Sequence, residues 1–146
     1  MSRKLFFSFK YDDVHRALNV RNSNVITGVS KSGFIDKADF EAVERQGKVA
    51  IKNWIDKQIE GTTVSVILIG ANTDKSKWVR YEIDQSLAQG NGILTIDINK
   101  IADLEGSTTD CCGLRVPGYK HYLWNKDKGR ENLGKWAEMA AVAAGR

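Results

Sequence analysis

The stretch that decides the fold runs from Thr62 to Gln89 and reads TTVSVILIGANTDKSKWVRYEIDQSLAQ. It opens with an apolar run, Val64 to Ile69, which is typical of a strand buried on both faces of a sheet. Gly70 ends the run, a polar loop from Ala71 to Ser76 follows, and the remainder has the spacing of an amphipathic helix. Strand, loop and helix in this order build pockets at the carboxyl ends of parallel strands. We therefore expect any active site to be centred here.

The same alternation of strand and helix continues on both sides of this stretch. Apolar and β-branched runs predict strands at Leu5 to Phe9, Asn24 to Val29, Val64 to Ile69, Ile93 to Ile98 and His121 to Trp124. Helical spacing predicts helices at Val14 to Val20, about Lys37 to Glu60, the segment after Ser76, and Glu131 to Ala144. Such alternation favours a parallel sheet with helices on both faces. We predict an α/β, flavodoxin-like three-layer sandwich with a mainly parallel sheet of about five strands, forming a single domain over residues 1–146.

Two details of the predicted helices are specific enough to be checked. The helix from about Lys37 to Glu60 is predicted as one continuous element, with Gly47 counted in its apolar stripe. In the helix after Ser76, the predicted buried stripe consists of Val79, Ile83 and Leu87.

Composition narrows the class of protein. The 146 residues are 42% hydrophobic and 27% charged, which is ordinary for a soluble globular domain. No apolar run approaches the roughly 20 residues of a membrane span, and the apolar residues near the N-terminus are too few for a secretory signal, so we expect a cytoplasmic protein without membrane contact. The net charge of +4 is spread along the chain. It suits a phosphorylated small molecule better than nucleic acid, which we do not expect as a partner.

Several common catalytic signatures are missing from the sequence. It contains no G-x-G-x-x-G, no phosphate-binding P-loop and no G-x-S-x-G nucleophile elbow. His15 and His121 lack acidic or cysteine partners at metal-ligand spacing, so no metal site is predicted. Cys111 and Cys112 are adjacent, and we interpret them as two reduced thiols in a loop.

One short segment remains as a candidate for chemistry. Trp78, Glu82 and Ser86 follow one another at four-residue steps and share a helix face. That face is rotated by about one residue from the predicted apolar stripe, which places Glu82 at the border between core and crevice. A half-buried carboxylate beside an aromatic ring can have a shifted pKa, which is useful in glycosidic chemistry. On spacing alone, a solvated glutamate paired with Arg80 or a lysine is the commoner case.

Four stretches of the first hundred residues carry a resemblance to a known family. The first strand and its loop read KLFFSFKYDD, and VRNSNVITG follows. The stretch through the third strand reads GFIDKADFEAVERQGKVAIKNWIDKQIEGTTVSVILIGANT, and the last, SKWVRYEIDQSLAQGNGILTIDI, has the pattern Ser-x-Trp-x-x-x-Glu. The chain resembles the TIR-like (Toll/interleukin-1 receptor-like) domain family, in particular the TIR-like subunit of bacterial Thoeris antiphage systems. The resemblance covers most of residues 3 to 100 and is vague from Ile101 onward.

The resemblance implies a fold and an activity. In that family the fold is flavodoxin-like, and a helical glutamate is the catalytic residue for cleaving NAD at the nicotinamide–ribose bond; Glu82 matches that position. Enzymatic members hydrolyse NAD or rejoin the ADP-ribose into cyclic or variant forms. The resemblance further implies a signal made on phage infection, which reaches a partner effector protein as a diffusible nucleotide, and it is compatible with self-assembly. No permanently bound cofactor is expected, since NAD is the substrate.

With NAD as the implied substrate, five further residues become candidates for binding it. Phe9 would stack near the base or ribose, with Lys10 close to the phosphates. Asp12 or Asp13 would bind hydroxyls, although capping the following helix is an equally good role for them. Trp78 would form a wall of the pocket, or else pack against the sheet.

Two other functions stay open from the sequence. TIR domains also include adaptors, so the alternative is a non-enzymatic TIR-like interaction or scaffold module, which predicts no NAD turnover under any trigger. A weaker third possibility is a nucleotide- or flavin-binding flavodoxin-like protein, because the fold outline alone does not determine function. A colourless preparation would argue against the flavin version.

Overall fold

A parallel sheet forms the centre of the part of the chain that the structure describes. Its strands are β1 (Arg3–Ser8), β2 (Val29–Ser30), β3 (Val64–Ile69), β4 (Gly92–Asp97) and β5 (Lys120–Leu123). Their order is β2-β1-β3-β4-β5, and every pairing is parallel. Four of the strands have four to six residues, and β2 adds two residues along the outer edge of β1. This order is that of flavodoxin-like folds, so the predicted fold class is confirmed.

The structure is a computed structural model that describes residues 3–10, 13–21, 29–30, 37–102, 105–110 and 114–146. The predicted strand from Asn24 to Val29 lies outside the described residues apart from Val29, which is in β2. Asp12, Cys111 and Cys112 also lie outside them.

Helices cover both faces of the sheet. They are α1 (Val14–Arg21), α2 (Lys37–Glu44), α3 (Lys48–Ile59), α4 (Lys77–Gln89) and α5 (Gly129–Ala143). The strand side chains alternate between two cores, as the two-residue period of a strand requires. One core, under α1 and α5, contains Phe7, Val66 and Ile96; the other, under α3 and α4, contains Phe6 and Ile67. The three-layer arrangement therefore follows from strands that are apolar on both faces.

β3 occupies the middle of the sheet, as its composition predicts. All six of its residues are buried. It pairs with β1 from Leu5↔Val64 onward and with β4 from Val64↔Gly92 onward. The carboxyl ends of β1, β3 and β4 therefore meet at one edge of the sheet, which is where ligands bind in this class of fold.

The predicted long helix from about Lys37 to Glu60 is wrong in one respect, because the chain forms two helices there. Gly47 separates α2 from α3 and has a φ of 98° and a ψ of 176°, a backbone conformation that side-chain-bearing residues rarely adopt. Ile51, Ile55 and Ile59 form the buried stripe of α3. Trp54 packs partly buried against the same cluster, in the structural role that helical spacing predicts for it.

The C-terminal third completes the sheet and one helical layer. Tyr122 on β5 stacks on Trp136 of α5, with ring centroids 3.9 Å apart and planes 9° from parallel. α5 also approaches the beginning of β4 so closely that a Cβ atom on Gly92 would collide with the backbone of Ala140. Among the described residues, no helix combines the length and apolar character that crossing a membrane requires.

Candidate active site

α4 is fixed at its N-terminus by local hydrogen bonds that the loop sequence supplies. Ser76 is the N-cap, and its hydroxyl accepts a hydrogen bond from the Val79 amide at 3.2 Å. A 3-10 turn, Thr73–Lys75, precedes it, and the Thr73 hydroxyl accepts a hydrogen bond from the Gly70 amide at 2.8 Å. The start of α4 is thereby tied to the carboxyl end of β3.

The buried face of α4 differs from the predicted stripe. Its buried residues are Val79, Glu82, Ile83 and Ser86, which are spaced at three- and four-residue steps. Leu87, predicted to be buried, is 41% exposed, so that part of the prediction is wrong. Glu82, predicted at the border of the core, is only 6% exposed. The centre of the stripe lies near Val79, Ile83 and Ser86, so Glu82 falls inside it and Leu87 points about 90° away.

Burial changes the acidity of Glu82. Removing a carboxylate from water disfavours its charged form, and this raises the pKa of Glu82 from 4.5 to about 8. The Ser8 hydroxyl, at the end of β1, lowers that pKa, although Ser8 Oγ makes no hydrogen bond of ordinary length and angle among the described residues. A buried carboxyl group with a pKa near neutrality is suited to an active site.

A buried polar network holds the second half of α4 against β3. Ser86 Oγ donates to the main-chain oxygen of Glu82 at 2.7 Å, and Ser65 Oγ donates to Ser86 Oγ at the same distance. Asn91 Nδ2 donates to Ser65 Oγ at 3.2 Å and to Thr62 Oγ1 at 3.0 Å. These bonds hold the main chain of this part of α4 against β3. Sequence reasoning missed them, although hydroxyl residues within otherwise apolar strands were a visible signal.

Asp13 has a structural role in the site. It is 5% exposed, and its Oδ1 lies 3.4 Å from Nη1 of Arg16, which is also buried. Arg16 further donates to the main-chain oxygens of Ile101 at 2.8 Å and Ser107 at 3.0 Å. The Asp13 carboxylate lies over Gly70, where any Cβ atom would collide with it. The structure therefore brings Asp13 to the carboxyl end of β3, where its carboxylate is paired with Arg16 and lies against Gly70.

Phe9 and Lys10 follow β1 and are both half-buried. Phe9 packs against the core under α1 and α5, whereas Ser8 and Glu82 lie on the other face of the sheet. The structure thus does not place the Phe9 ring on the face that carries Glu82. A contact of Phe9 or Lys10 with substrate stays a prediction.

Trp78 is partly buried and packs against the cluster formed by Phe6 and α3. Its ring meets that of Tyr81 edge-on, with centroids 6.1 Å apart and planes at 87°. Lys77 Nζ lies 5.2 Å from the centre of the Trp78 ring. The packing role, one of its two predicted roles, is therefore observed, and the role as a pocket wall stays a prediction.

A separate cleft opens on the same edge of the sheet, beyond the ends of β4 and β5. Its volume is about 450 Å³, and it is lined by Asp97, Asn99, Lys100, Asp110, Arg115, Leu123, Trp124, Asn125 and Lys126. Lys100 Nζ and Asp110 Oδ1 form an ion pair at 2.7 Å on its rim. Within the described ranges, no group of three or more histidine, cysteine, aspartate or glutamate residues could hold a metal ion.

Fold and site together define the class of this protein. A flavodoxin-like sheet, with a glutamate on the helix after β3 held near the end of β1, is the arrangement implied by the resemblance to TIR-like domains. A family model described as "Thoeris protein ThsB, TIR-like domain" matches residues 6–103, more than half of the chain. The chain belongs to this ThsB family of TIR-like domains.

A relative is similar over almost the whole chain. It is a protein of Bacillus cereus (strain MSX-D12) named "Putative cyclic ADP-D-ribose synthase ThsB1". The two sequences are 32% identical over 151 residues, which cover 98% of this chain and 78% of the relative. The similarity therefore extends past the matched family region into the C-terminal third.

Proposed function

We propose that the chain is an enzyme of antiphage defence that cleaves NAD at the nicotinamide–ribose bond and makes a cyclic or variant ADP-ribose. This product is a diffusible signal in the cytoplasm that activates a partner effector protein. The observation that carries the proposal is the buried Glu82 carboxyl group, with its pKa of about 8, beside Ser8 at the carboxyl edge of the sheet. The name of the Bacillus cereus relative, a cyclic ADP-D-ribose synthase, supports the product class.

The reaction begins with departure of nicotinamide. The bond between the ribose C1′ and the pyridinium nitrogen breaks, and its electron pair leaves with nicotinamide, which becomes neutral and needs no acid catalyst. The ribose develops oxocarbenium character at C1′ and the ring oxygen. An ionised carboxylate close to that ribose stabilises the positive charge or holds the ribose hydroxyls. Glu82 has this role in the proposal.

The protonation state of Glu82 is coupled to substrate binding. In the free protein near neutral pH the carboxyl group is mainly protonated, since its pKa is about 8. The nicotinamide ring of NAD carries a positive charge, and a cation beside a carboxyl group favours its ionised form. Binding of NAD therefore lowers the pKa of Glu82 and releases its proton. The carboxylate is formed where and when positive charge must be stabilised.

The fate of the ribose depends on which nucleophile reaches C1′. Attack by water gives ADP-ribose, and attack by a nucleophilic group of the same ADP-ribose closes a ring; the attacking hydroxyl or water releases a proton. Cyclisation requires that water be kept from C1′ while the internal nucleophile is held over it. The low exposure of Glu82 and its apolar neighbours Val79 and Ile83 favour such a dry site.

Other residues near this edge complete the proposed binding site. Lys10 is placed near the phosphates and Phe9 near the base or ribose. Asp13 acts by shaping the end of β3 through its contacts with Arg16 and Gly70. Asp12 is proposed as a ligand of the ribose hydroxyls, and Trp78 as a wall of the pocket. NAD is a substrate here, and no permanently bound cofactor is part of the proposal.

The test measures nicotinamide release from NAD. Wild-type protein, alone and in lysate from infected cells that express it, is compared with Glu82→Gln and with Asp84→Asn, an exposed carboxylate two residues further along α4. We expect release with wild type and Asp84→Asn, and at least about a hundredfold less with Glu82→Gln. A folded Glu82→Gln protein with full activity would remove Glu82 from the mechanism. Absence of turnover under infection would instead favour the non-enzymatic interaction module.

A further inference from the structure

Ser8 differs from the other buried hydroxyl residues that the structure describes. It is completely buried at the end of β1, yet within the described ranges its Oγ has no hydrogen-bond partner of ordinary geometry. Each of the others is hydrogen bonded, namely Thr62, Ser65, Thr73, Ser86 and Thr95. A buried hydroxyl without a partner destabilises the folded state, and native proteins contain few of them. Its presence in a strand that is otherwise apolar at this end points to a role beyond folding.

Strand geometry directs the Ser8 side chain to the face of the sheet that α4 covers. Side chains two residues apart in a strand point to the same face, and Phe6 packs against α3 and α4. In the register of the sheet, Ser8 lies beside Ile67 of β3. Ile67 belongs to the cluster that contains Val79 and Ile83, which flank Glu82 on the buried face of α4. Ser8 and Glu82 therefore face each other across the same short gap.

We propose that Ser8 is a positioning residue for Glu82: its hydroxyl donates a hydrogen bond to the ionised carboxylate once the cationic end of the substrate is bound. The inference rests on the proposed function of Glu82. In the free protein the carboxyl group is mainly neutral, and the hydroxyl lacks a hydrogen-bond partner of ordinary geometry among the described residues. When the carboxylate forms, the hydroxyl gains an anionic acceptor and fixes its orientation toward the ribose. The unsatisfied hydroxyl is thus preorganised for the charged state of the site.

The charged groups of the neighbouring elements do not replace Ser8 in this role. Charged residues on these elements include Lys52 and Asp56 on α3, Asp74 and Lys75 in the turn before α4, and Lys10, Asp13 and Arg16 after β1. Asp56 accepts a hydrogen bond from Tyr81 at 2.8 Å, and Asp13 is paired with Arg16. The influences of described residues on the pKa of Glu82 are its burial, which raises it, and the Ser8 hydroxyl, which lowers it.

The first experiment titrates Glu82 directly and does not depend on activity. The side-chain carboxyl carbons of glutamate are labelled with carbon-13, and the Glu82 resonance is assigned by its absence from Glu82→Gln. Ser8→Ala should raise the pKa of Glu82 above that of wild type by about half a unit to one unit, because a donor to the carboxylate is lost. Ser65→Ala is the matched control, since Ser65 is a buried serine on the same face whose hydroxyl is already bonded. It should leave the pKa unchanged.

Thermal unfolding also distinguishes the roles of Ser8 and Ser65, because the two alanine variants should differ in Tm. Ser8→Ala removes an unsatisfied buried hydroxyl, so its Tm should equal or exceed that of wild type. Ser65→Ala breaks satisfied hydrogen bonds and should lower the Tm by a few degrees, about 2–4 °C. A purely structural Ser8 would behave like Ser65, with a lower Tm and an unchanged titration of Glu82.

The second experiment measures NAD turnover by Ser8→Ala under the conditions in which wild type is active. We expect kcat/KM near neutral pH to fall about three- to tenfold, as a rise of the Glu82 pKa by half a unit to one unit requires, and the loss to shrink as pH rises past that pKa. An unchanged pKa of Glu82 in Ser8→Ala, or an unchanged kcat/KM, would overturn the proposal for Ser8. If wild type does not cleave NAD at all, the proposed function fails, and the titration still decides whether Ser8 acts on Glu82.

Discussion

Glu82 combines a buried position with a carboxyl group, and these two properties oppose each other in folding. Its neighbours on the same helix face, Val79 and Ile83, are apolar. The ionised form is therefore destabilised, as the raised pKa shows. Residues of this kind persist where the chemistry of a site requires them. Stability and activity should therefore respond in opposite directions when Glu82 is changed.

Glu82→Gln should be more stable than wild type, and this difference in the free energy of unfolding should grow as pH rises. The pKa of Glu82 is about 8 in the folded protein and 4.5 as the ordinary value. Between these values the unfolded chain loses a proton that the folded protein keeps, so this group lowers the free energy of unfolding as pH rises, and the effect levels off above about 8. At about 1.4 kcal/mol per unit, the difference reaches several kcal/mol. Glutamine has no such titration.

Urea unfolding of wild type and Glu82→Gln at about pH 5, 6.5 and 8 measures this difference. Comparing the variants at each pH removes the constant effect of the amide on packing. Asp84→Asn, at an exposed position on the same helix, should show no comparable trend. A stability difference that stays constant over this range would show that Glu82 is ionised in the folded protein.

The pH dependence of NAD cleavage tests which form of Glu82 acts. If the carboxylate is the active form, kcat/KM should rise about tenfold per pH unit below the pKa of about 8 in the free enzyme and level off above it. The profile is measured from nicotinamide release in the preparation that shows activity. A rate that falls through the same range would mean that the neutral acid is required instead.

The identity of Glu82 was predictable, but its depth was not. Helical spacing placed it at the border of the core because the predicted apolar stripe included Leu87, which is exposed in the structure. The buried face instead includes two polar residues, Glu82 and Ser86, which apolar periodicity cannot detect. The pattern Ser-x-Trp-x-x-x-Glu carried the functional prediction. Ser8 gave no comparable signal, since one serine at the end of a strand is common.

At the scale of elements, the division of the predicted helix at Gly47 shows where periodicity fails. The apolar spacing continues from α2 to α3 because Val43 of α2 and Ile51 of α3 pack against the same cluster. A shared face therefore preserves the pattern across the break. The sign of φ at Gly47 is a property of the backbone that hydrophobic spacing does not encode.

Gly47→Ala should lower the stability of the two separate helices that are observed, and would raise the stability of the single continuous helix that spacing predicts. In the observed structure Gly47 has a φ of 98°, and a Cβ atom added there would meet no other atom within 4 Å. Backbone strain is therefore the main effect of the substitution, and it should lower the free energy of unfolding by about 1–3 kcal/mol. In one continuous helix the same substitution would stabilise by about 1 kcal/mol. Urea unfolding measures whether Gly47→Ala lowers or raises the free energy of unfolding. Lys48→Ala, at the exposed first position of α3, serves as the control and should change stability little.

At the scale of the whole molecule, the parallel sheet was predictable from the alternation of strands and helices. The apolar composition of β3 predicted its central place in that sheet. The region after Asn99 was harder to predict, because its packing depends on contacts between distant segments. Arg16 on α1 holds the main chain at Ile101 and Ser107, and Tyr122 stacks on Trp136. None of these contacts has a local sequence signal.

The close docking of α5 on β4 gives a test of this packing. Gly92 begins β4, and a Cβ atom there would collide with the main chain of Ala140 in α5. Because a backbone cannot move aside as a side chain can, Gly92→Ala should lower the free energy of unfolding by about 1–3 kcal/mol. Urea unfolding with an unchanged m-value would confirm a cooperative loss of stability. Unchanged stability would mean that α5 packs less closely than described.

The most direct test of the account is mass spectrometry of small molecules from infected cells that express wild type, Glu82→Gln or Asp84→Asn at equal levels of folded protein. We expect free nicotinamide and a cyclic or variant ADP-ribose to accumulate with wild type and Asp84→Asn after infection. Both products should be absent with Glu82→Gln, although that protein is at least as stable as wild type. The same products at wild-type levels with Glu82→Gln would contradict the central claim that the buried carboxyl group on α4 is the catalytic group.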